Sequence, residues 1–282
     1  MTGTFRFLTD AQLRAELDRC IYCEEKPCQK ACPADCSPAD FIVAARGGAK
    51  SDFRRSAAMI LAANPLGGVC GVVCPDSFCM QACSRRLFDR PIEIPAVQAA
   101  IVENAKRHGL PAVPAPSGSG RKIAVIGAGP AGLGAAGVLA QRGHRVTVFE
   151  QRRQLGGAMK LIPAFRLPKR IARTDIDFIR RLGDIRFKRG AGAVDPLALR
   201  TKFDAVIVCA GLGRPMQPGI PGENHAVSWQ AFLELRNKVS VAGKRVAVLG
   251  GGAVAADCAT TAARRGAASV ELIYRRRRQD MP

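Results

Sequence analysis

Apolar residues recur at helical spacing through the first part of the chain. The segment TDAQLRAELDRCI has Thr9 or Asp10 as a capping residue and places Leu13 and Leu17 four residues apart on one face. SPADFIVAARGG opens with Ser-Pro and closes on glycine, DFRRSAAMILAANP stops at Pro65, and another helical pattern follows in IPAVQAAIVENAKRHG. These segments predict a small helical domain over residues 1–110, an ordinary domain size.

Beyond residue 120 the pattern changes to short apolar strands that alternate with helices. RKIAVIGAGPAGLGAAGVLAQRGHRVTVFE predicts a strand at 123–126, a helix of small residues and a strand in RVTVFE. FDAVIVCA predicts a buried strand at 205–210, and KRVAVLGGGAVAADCATTAARRGAASVELIY repeats the strand, helix, strand order. LPAVPAPSGSG predicts a linker at 111–120. We expect α/β Rossmann-like domains at 121–242 and 243–282.

Cysteines are concentrated near the amino end. Nine of the 11 lie in the first 83 residues, and RCIYCEEKPCQKACP holds four of them. A disulfide framework fits poorly because the count is odd and no secretory signal pattern opens the chain. A reducing cytoplasm is the better interpretation, and clustered thiols there usually bind metal or do redox chemistry.

The spacing of these thiols favours iron-sulfur clusters over zinc. All-cysteine zinc sites normally use two CxxC knuckles, whereas the first run has 2-4-3 spacing and ends in Cys-Pro, as bacterial iron-sulfur runs do. A second run, CGVVCPDSFCMQAC, again contains Cys-Pro and a Cys-x3-Cys ending. The two runs predict two [4Fe-4S] clusters, with zinc or unmetallated thiols as the alternatives.

The ligands are expected to cross between the two runs. In a two-cluster fold the last cysteine of a compact run commonly ligates the other cluster. One cluster would therefore use Cys20, Cys23, Cys28 and Cys83. The other would use Cys32, Cys74 and Cys79, and on counting alone either Cys36 or Cys70 could be its fourth ligand.

The segment NPLGGVCGVVCPDSFCMQACSRRLFDRPIEIPAVQ resembles the N-terminal iron-sulfur domain shared by dihydropyrimidine dehydrogenase and the glutamate synthase small subunit. That family has the crossed ligand pattern, and its dihydropyrimidine dehydrogenases use a glutamine as the fourth ligand of the second cluster. The resemblance therefore implies Gln98 as that ligand, with Cys36 and Cys70 as bystanders. From the residue alone, Gln98 would be an ordinary polar residue on a helix.

The strand at 123–126 leads into a phosphate loop. Gly127 suits a tight turn, Gly129 suits close approach of a pyrophosphate, and Gly132 suits close packing of helix against strand, with Pro130 at the helix start. The helix N-terminus would direct its amides at the phosphates. Glu150 ends the next strand, where an acid can accept hydrogen bonds from a ribose.

The context favours FAD at this first loop. LGGAMKLIPAFRLPK resembles the flavin-side segment of the same family, and its matching positions are Gly156, Gly157 and Arg166. FDAVIVCAGLGRPMQPGIPGE resembles the strand that returns beside the flavin in two-dinucleotide oxidoreductases. Cys209 lies on that strand and is interpreted as a core residue. Residues 121–242 are thus the predicted FAD-binding domain.

A second loop predicts the start of an NAD(P)-binding domain at 243–282. Gly250, Gly252 and Ala255 occupy the phosphate-loop positions, and the following strand leads to Arg275 and Arg276 in place of an acid. Cations there favour the 2′-phosphate of NADP over NAD, although a basic run in solvent is the simpler alternative. The loop departs from the family at Ala253 and Val254, which weakens the expectation of nucleotide affinity.

Charge adds a limited constraint on partners. The formal net charge is +20, and residues 1–110 hold 14 Lys and Arg against 12 Asp and Glu, which leaves 29 against 11 for the rest. No reader motif for nucleic acid accompanies the basic residues. No apolar run reaches the roughly 18 residues that cross a bilayer. Anionic cofactors or an acidic electron-transfer partner explain the charge more simply.

Together these features predict an electron-input subunit in the cytoplasm. NAD(P)H would reduce FAD, and two [4Fe-4S] clusters would pass electrons to a partner that carries the substrate site. Through Gln98, the resemblance to the dihydropyrimidine dehydrogenases implies an FMN-containing, pyrimidine-reducing partner chain; the glutamate synthase large subunit is the alternative partner. The resemblance also implies further strands and a Gly-Asp motif after the second loop, so we expect a C-terminally incomplete subunit. An iron-sulfur carrier without flavin and a zinc-stabilised binding module remain open.

Overall fold

The computed structural model describes residues 5–110, 117–213, 215, 219–234 and 239–281. Contacts divide the chain into two compact units, one of Met1–Gly157 with Phe165–Ala210 and one of Ala158–Ala164 with Gly211–Pro282. The domain boundaries expected at 110, 120 and 242 stay a prediction. Within the expected linker, residues 111–116 lie outside the described residues.

Helices make up the first part of the first unit in the described range 5–110. They are α1 (Asp10–Asp18), α2 (Pro27–Lys30), α3 (Pro38–Ala45), α4 (Lys50–Ala63), α5 (Gly67–Val73) and α6 (Ile94–Arg107), with a 3-10 turn at Ser84–Leu87. Their shared core contains Phe41, Ile60 and Ile101, all inaccessible to solvent. The helical domain that the apolar spacing predicts is therefore present, with α2 and α5 as additions.

Helix α1 begins at the predicted capping position. The side-chain oxygen of Thr9 accepts a hydrogen bond from the Gln12 N–H at 3.3 Å, and the Gln12 side chain accepts one from the Thr9 N–H at 3.0 Å. This reciprocal pair is a capping box and satisfies two N–H groups at the helix start. Leu13 and Leu17 are buried, as their spacing predicts.

A four-stranded parallel sheet follows in the first unit. Its elements are β1 (Lys122–Ile126), α7 (Pro130–Gln141), β2 (Arg145–Glu150), α8 (Lys169–Ile179), β3 (Ile185–Arg189), α9 (Pro196–Leu199) and β4 (Ala205–Val208). The strand order is β3-β2-β1-β4, and Ile123 of β1 pairs with Val146 of β2 and Ala205 of β4. The two strands of the first phosphate-loop motif therefore lie side by side at the centre.

The expectation of a buried strand at 205–210 is wrong in two respects. Strand β4 ends at Val208, and Val208 is 59% exposed. The physical reason is that, within the described part of the sheet, β4 is an edge strand beside β1. Cys209, interpreted from sequence as a core residue, is half-buried.

The second unit contains the repeat of the strand, helix, strand motif. It has α10 (Trp229–Glu234), β5 (Arg245–Leu249), α11 (Ala253–Arg264) and β6 (Ser269–Ile273), and β5 pairs with β6 in parallel. Phe232, Leu233 and Ala262 lie in its core. Strand β6 ends at Ile273, so Arg275 and Arg276 follow the strand.

Within the described ranges no single helix is long and apolar enough to cross a membrane. Helices α4 and α5 meet the criteria of length and composition only as a pair, and the chain bends by 88° between them.

Candidate cofactor sites

The first group of thiols surrounds one pocket. Cys20 follows α1, Cys28 lies in α2, and Cys83 precedes the 3-10 turn. The pocket also has an apolar wall that includes Ile42. All four expected ligands of the first cluster line it: Cys20, Cys23, Cys28 and Cys83.

The backbone between Cys23 and Cys28 turns through an unusual conformation. Lys26 has a backbone φ of 42°, in the left-handed region that residues other than glycine rarely adopt. Its ammonium contacts the Asp40 carboxylate at 2.8 Å and stands 5.3 Å from the centroid of the Tyr22 ring. The Lys26 ammonium holds the pKa of Asp40 below its usual range. These contacts stabilise the turn that brings the two cysteines to one pocket.

Burial dominates the electrostatics of this thiol group. Burial raises the pKa of Cys28 to about 11, and the neighbouring Cys83 and Cys20 thiols add to the rise. Burial also raises the pKa of Cys20, with Cys83 and Cys23 adding and Arg46 opposing. The four thiols are therefore close enough to influence one another, and iron binding must displace their protons.

The thiols of the second group also lie near one another. Burial raises the pKa of Cys74 to about 11, with Cys70 and Cys32 adding to the rise. Burial raises the pKa of Cys79 to about 12, with Cys74 and Cys32 among its neighbours. Burial raises the pKa of Cys36 to about 12, with Cys32, Cys79 and Cys70 adding. Both spare thiols thus adjoin the expected ligands of the second cluster.

Gln98, which the family resemblance implies as the fourth ligand, is half-buried on α6. Its amide nitrogen donates to the Gly67 carbonyl oxygen at 2.7 Å. This bond leaves the side-chain oxygen of Gln98 as the atom with which it could ligate iron. The choice among Gln98, Cys36 and Cys70 stays a prediction.

The first thiol group offers an all-cysteine donor set. Across the described residues, no three His, Cys, Asp or Glu side chains converge closely enough to hold one metal ion. A cubane is a larger body that stands between its ligands, so its thiolates lie further apart than those on one zinc ion. Four thiols around a single pocket are a suitable set for such a cluster.

Two glycines of the first loop are required by close backbone contacts. Gly127 has φ of +102°, and a Cβ there would lie 2.3 Å from the Cys209 carbonyl oxygen. A Cβ at Gly132 would lie 1.9 Å from the Gly127 carbonyl oxygen. These contacts agree with a tight turn at Gly127 and close helix packing at Gly132.

A second glycine pair folds onto this loop. Gly129 caps the start of α7, with Pro130 at the first helical position. Gly157 has φ of +50°, and a Cβ there would lie 2.7 Å from the Gly129 Cα. Gly156 donates its N–H to the Ala128 carbonyl oxygen at 2.8 Å. The predicted residues of the two segments therefore meet, and their lack of side chains leaves backbone accessible to a phosphate.

Glu150 is buried at the carboxyl end of β2. One carboxylate oxygen accepts a hydrogen bond from the Ala128 N–H at 2.9 Å, and the other accepts one from the Arg152 N–H at 2.9 Å. The acid is thereby fixed beside the phosphate loop. Arg166 is half-buried ahead of α8.

The second loop has a contact that the sequence motif does not reveal. Gly250 has φ of +128°, and Gly252 caps the start of α11, which contains the buried Ala255. A Cβ at Gly251 would lie 2.7 Å from the Tyr274 ring. The middle residue of the triple-glycine run must therefore be small. The available sequence signal is a triple glycine together with a tyrosine immediately after the next strand.

The four consecutive arginines after β6 have different surroundings. Arg277 forms an ion pair with Asp280 at 3.3 Å. The Arg276 guanidinium lies 5.4 Å from the centroid of the Tyr274 ring, and Arg275 is exposed. All four are exposed, so the choice between a 2′-phosphate site and a solvated basic run stays a prediction.

Sequence analysis missed Asp175 on α8. This carboxylate is wholly buried, contacts the Lys106 ammonium at 3.0 Å and accepts a hydrogen bond from the Val69 N–H at 2.7 Å. The signal was available, because Asp175 shares the apolar face of α8 with Ile171 and Phe178. A charged residue at such a position needs a buried partner.

The fold and these sites define a class of protein, in which a thiol-rich helical region precedes nucleotide-binding α/β folds. The chain belongs to the pyridine nucleotide-disulphide oxidoreductase family, whose model matches residues 121–280. Residues 3–110 match dihydropyrimidine dehydrogenase domain II, described as a 4Fe-4S cluster domain. The two matches confirm the expected fold class, the oxidoreductase class and the expected cofactors, which are iron-sulfur clusters, FAD and NAD(P).

Three curated relatives share most of this chain. The β subunit of NADP(+)-dependent formate dehydrogenase from Moorella thermoacetica is 36% identical, over 91% of this chain and 40% of its own length. The NAD-dependent dihydropyrimidine dehydrogenase subunit PreT from Salmonella typhimurium is 33% identical, over 95% and 66%. The glutamate synthase [NADPH] small chain from Escherichia coli is 32% identical, over 97% and 62%. The predicted resemblance is confirmed, and the chain spans less than two thirds of each relative.

Proposed function

We propose that this chain is an electron-input subunit of a flavin- and iron-sulfur-dependent oxidoreductase. The observation that carries the proposal is the convergence of four thiols on one pocket in a chain that also has two nucleotide-binding loops. When bound, FAD accepts a hydride from NAD(P)H and releases its two electrons singly, and iron-sulfur clusters carry single electrons. The protein's task is then to hold and orient these groups.

Each site residue has an assigned role in this proposal. Gly127, Gly129 and Gly132, with Gly156 and Gly157, shape the loop for the FAD pyrophosphate, and Glu150 binds its ribose. Gly250, Gly252 and Ala255 shape the second loop, and Arg275 and Arg276 select NADP over NAD. The first cluster takes Cys20, Cys23, Cys28 and Cys83 as its ligands, and the second takes Cys32, Cys74, Cys79 and Gln98.

The surroundings of the two thiol groups suggest which of them lies toward the partner. Helix α5, which ends beside Cys74, is bonded to α8 of the nucleotide-binding fold through Asp175. The pocket of the first thiol group instead borders Ile21, an exposed apolar side chain. We place the partner subunit on that exposed side.

The proposal extends to the identity of the partner subunit and of the final electron acceptor. We favour a cytoplasmic assembly in which an FMN-containing partner reduces a pyrimidine. Gln98 supports it because dihydropyrimidine dehydrogenases use a glutamine ligand, and the relative from Salmonella is named a dihydropyrimidine dehydrogenase subunit. A glutamate synthase large subunit is the second candidate, favoured by the likeness to a glutamate synthase small chain.

Cofactor analysis of anaerobically purified protein tests the proposal. We expect about eight iron atoms and eight sulfides per chain, with bound FAD that NADPH bleaches faster than NADH. Cys28→Ala should lose about half of the iron, because it removes a ligand of one cluster. Cys36→Ala and Cys70→Ala should keep it if Gln98 is the fourth ligand.

Cys258→Ala is the matched control, because this thiol is buried on α11 of the second unit. It should leave the iron and sulfide contents unchanged. About two zinc ions per chain without acid-labile sulfide would refute the proposal in favour of a zinc-stabilised module. Full iron content without flavin would reduce it to an iron-sulfur carrier.

A further inference from the structure

A single buried carboxylate joins three helices of the first unit. Asp175 of α8 contacts the Lys106 ammonium of α6 at 3.0 Å and accepts a hydrogen bond from the Val69 N–H of α5 at 2.7 Å. The Gly68 backbone also lies close to this carboxylate. Lys106 and Val69 lie 69 and 106 residues away from Asp175 along the chain, so the carboxylate fixes a tertiary arrangement.

This arrangement is costly unless the charge is well compensated. Burial raises the pKa of Asp175, and Lys106 together with the Val69 N–H opposes the rise. An apolar residue of similar size would usually serve stability equally well at a buried position. The presence of a paired carboxylate therefore suggests a task beyond packing.

The carboxylate bonds to the helix that carries part of the second thiol group. Helix α5 contains Cys70 and ends immediately before Cys74. A Cβ at Gly68 would lie 2.6 Å from an Asp175 carboxylate oxygen, so glycine allows the backbone of α5 to reach the acid. The pKa of Cys70 is raised by burial and also by the Asp175 charge, so that charge acts on the one thiol that lies within α5.

We propose that Asp175, paired with Lys106, is a positioning residue for the second iron-sulfur cluster and sets its reduction potential. The carboxylate fixes α5 against α8, and its negative charge disfavours addition of an electron nearby, which lowers the potential. The Lys106 ammonium offsets part of this effect. The inference rests on the proposed function, since it requires the second cluster to be present.

Potentiometric titration followed by electron paramagnetic resonance tests this pair. Asp175→Asn keeps the shape and removes the negative charge, so one cluster's midpoint potential should shift to a more positive value while the other stays constant. Lys106→Gln keeps a hydrogen-bond donor and removes the positive charge, so the same potential should shift in the negative direction. Opposite shifts of one cluster would not follow from loosened packing alone.

Asp177→Asn is the matched control, because Asp177 lies two residues further along α8 and its side chain is 56% exposed. It should leave both potentials in place. Loss of the second cluster alone in Asp175→Asn would support the positioning role. Unchanged potentials in both variants at full iron content would overturn the proposal, as would insolubility of both variants while Asp177→Asn is soluble.

The failure of this inference is distinguishable from failure of the proposed function. A wild-type protein without iron and acid-labile sulfide would refute the proposed function. A wild-type protein with both clusters and variants with unmoved potentials would refute only the role of Asp175.

Discussion

Gly132 and Gly134 lie two residues apart in α7, and the space around a new side chain differs sharply between them. A Cβ at Gly132 would lie 1.9 Å from the Gly127 carbonyl oxygen, whereas a Cβ at Gly134 meets no atom within 4 Å. Position 132 therefore requires glycine, because the backbone of the phosphate loop leaves no room for a Cβ. Position 134 carries only the conformational cost of glycine within a helix.

We predict opposite effects for alanine at these two positions. Gly132→Ala should destabilise the protein by about 1–3 kcal/mol and release bound flavin, because the backbone of the phosphate loop must move. Gly134→Ala should stabilise it by about 0.5–1 kcal/mol and retain flavin, because alanine is the better helix former. The flavin content after gel filtration and the thermal midpoint measure both effects. Equal flavin retention in the two variants would contradict the proposed role of the loop.

Site residues were predictable from sequence where the chemistry itself fixes their spacing. Runs of thiols and phosphate-loop glycines are local patterns, so the grouping of Cys20 with Cys23 and the turn at Gly127 could be stated in advance. Asp175 and the Tyr274 contact with Gly251 could not, because each depends on residues that are distant along the chain. A sequence pattern shows that such a residue needs a partner but does not identify it.

At the scale of elements, helices with strong local sequence signals were predictable. Helices that depend on packing against distant parts of the chain were not. Helix α1 has its cap and its apolar stripe within one segment. Helix α5 reads as GGVCGVV, which lacks helical periodicity, and it forms because Gly71 lets its backbone pack on Ala99 of α6. Strand β3 has the sequence IRFKR and, among the strands that the structure describes, lies at a sheet edge beside β2. Its charged side chains are favourable at an exposed sheet edge. The same charges obscure the alternation of apolar and polar residues by which a strand is recognised in a sequence.

The cap of α1 gives a prediction at this scale. Thr9→Ala removes the acceptor for the Gln12 N–H and should cost about 1 kcal/mol, or about 2–4 °C in thermal midpoint. Thr9→Ser should keep most of this stability because serine is an equally good cap. Both variants should retain full iron content, because the helix end next to Cys20 is separately held by Arg46 bonds to the Leu17 and Cys20 carbonyl oxygens. If Thr9→Ala lost iron while Thr9→Ser kept it, the cap of α1 would control the binding of the first cluster.

At the scale of the whole molecule, the thiols belong to the same core as the apolar side chains of the helical region. Cys36, Cys79 and Cys83 are buried in one cluster with Phe41 and Ile101. Metal binding to ligands within a core is coupled to the folding of that core. The second unit has its own apolar core around Phe232, which contains none of the proposed iron ligands. Iron is therefore expected to stabilise the two units unequally.

Removal of iron by an anaerobic chelator under reducing conditions should reveal this inequality. We expect faster amide hydrogen exchange at residues 20–36 and 70–83, because the thiols lose the bonds that hold the two runs together. Exchange in β5 and β6 should stay unchanged, since their contacts lie within the second unit. Mass spectrometry of peptic fragments measures both regions in one sample. Unchanged exchange around the cysteines would mean that the thiol pockets are preformed and that the helical core folds without its clusters.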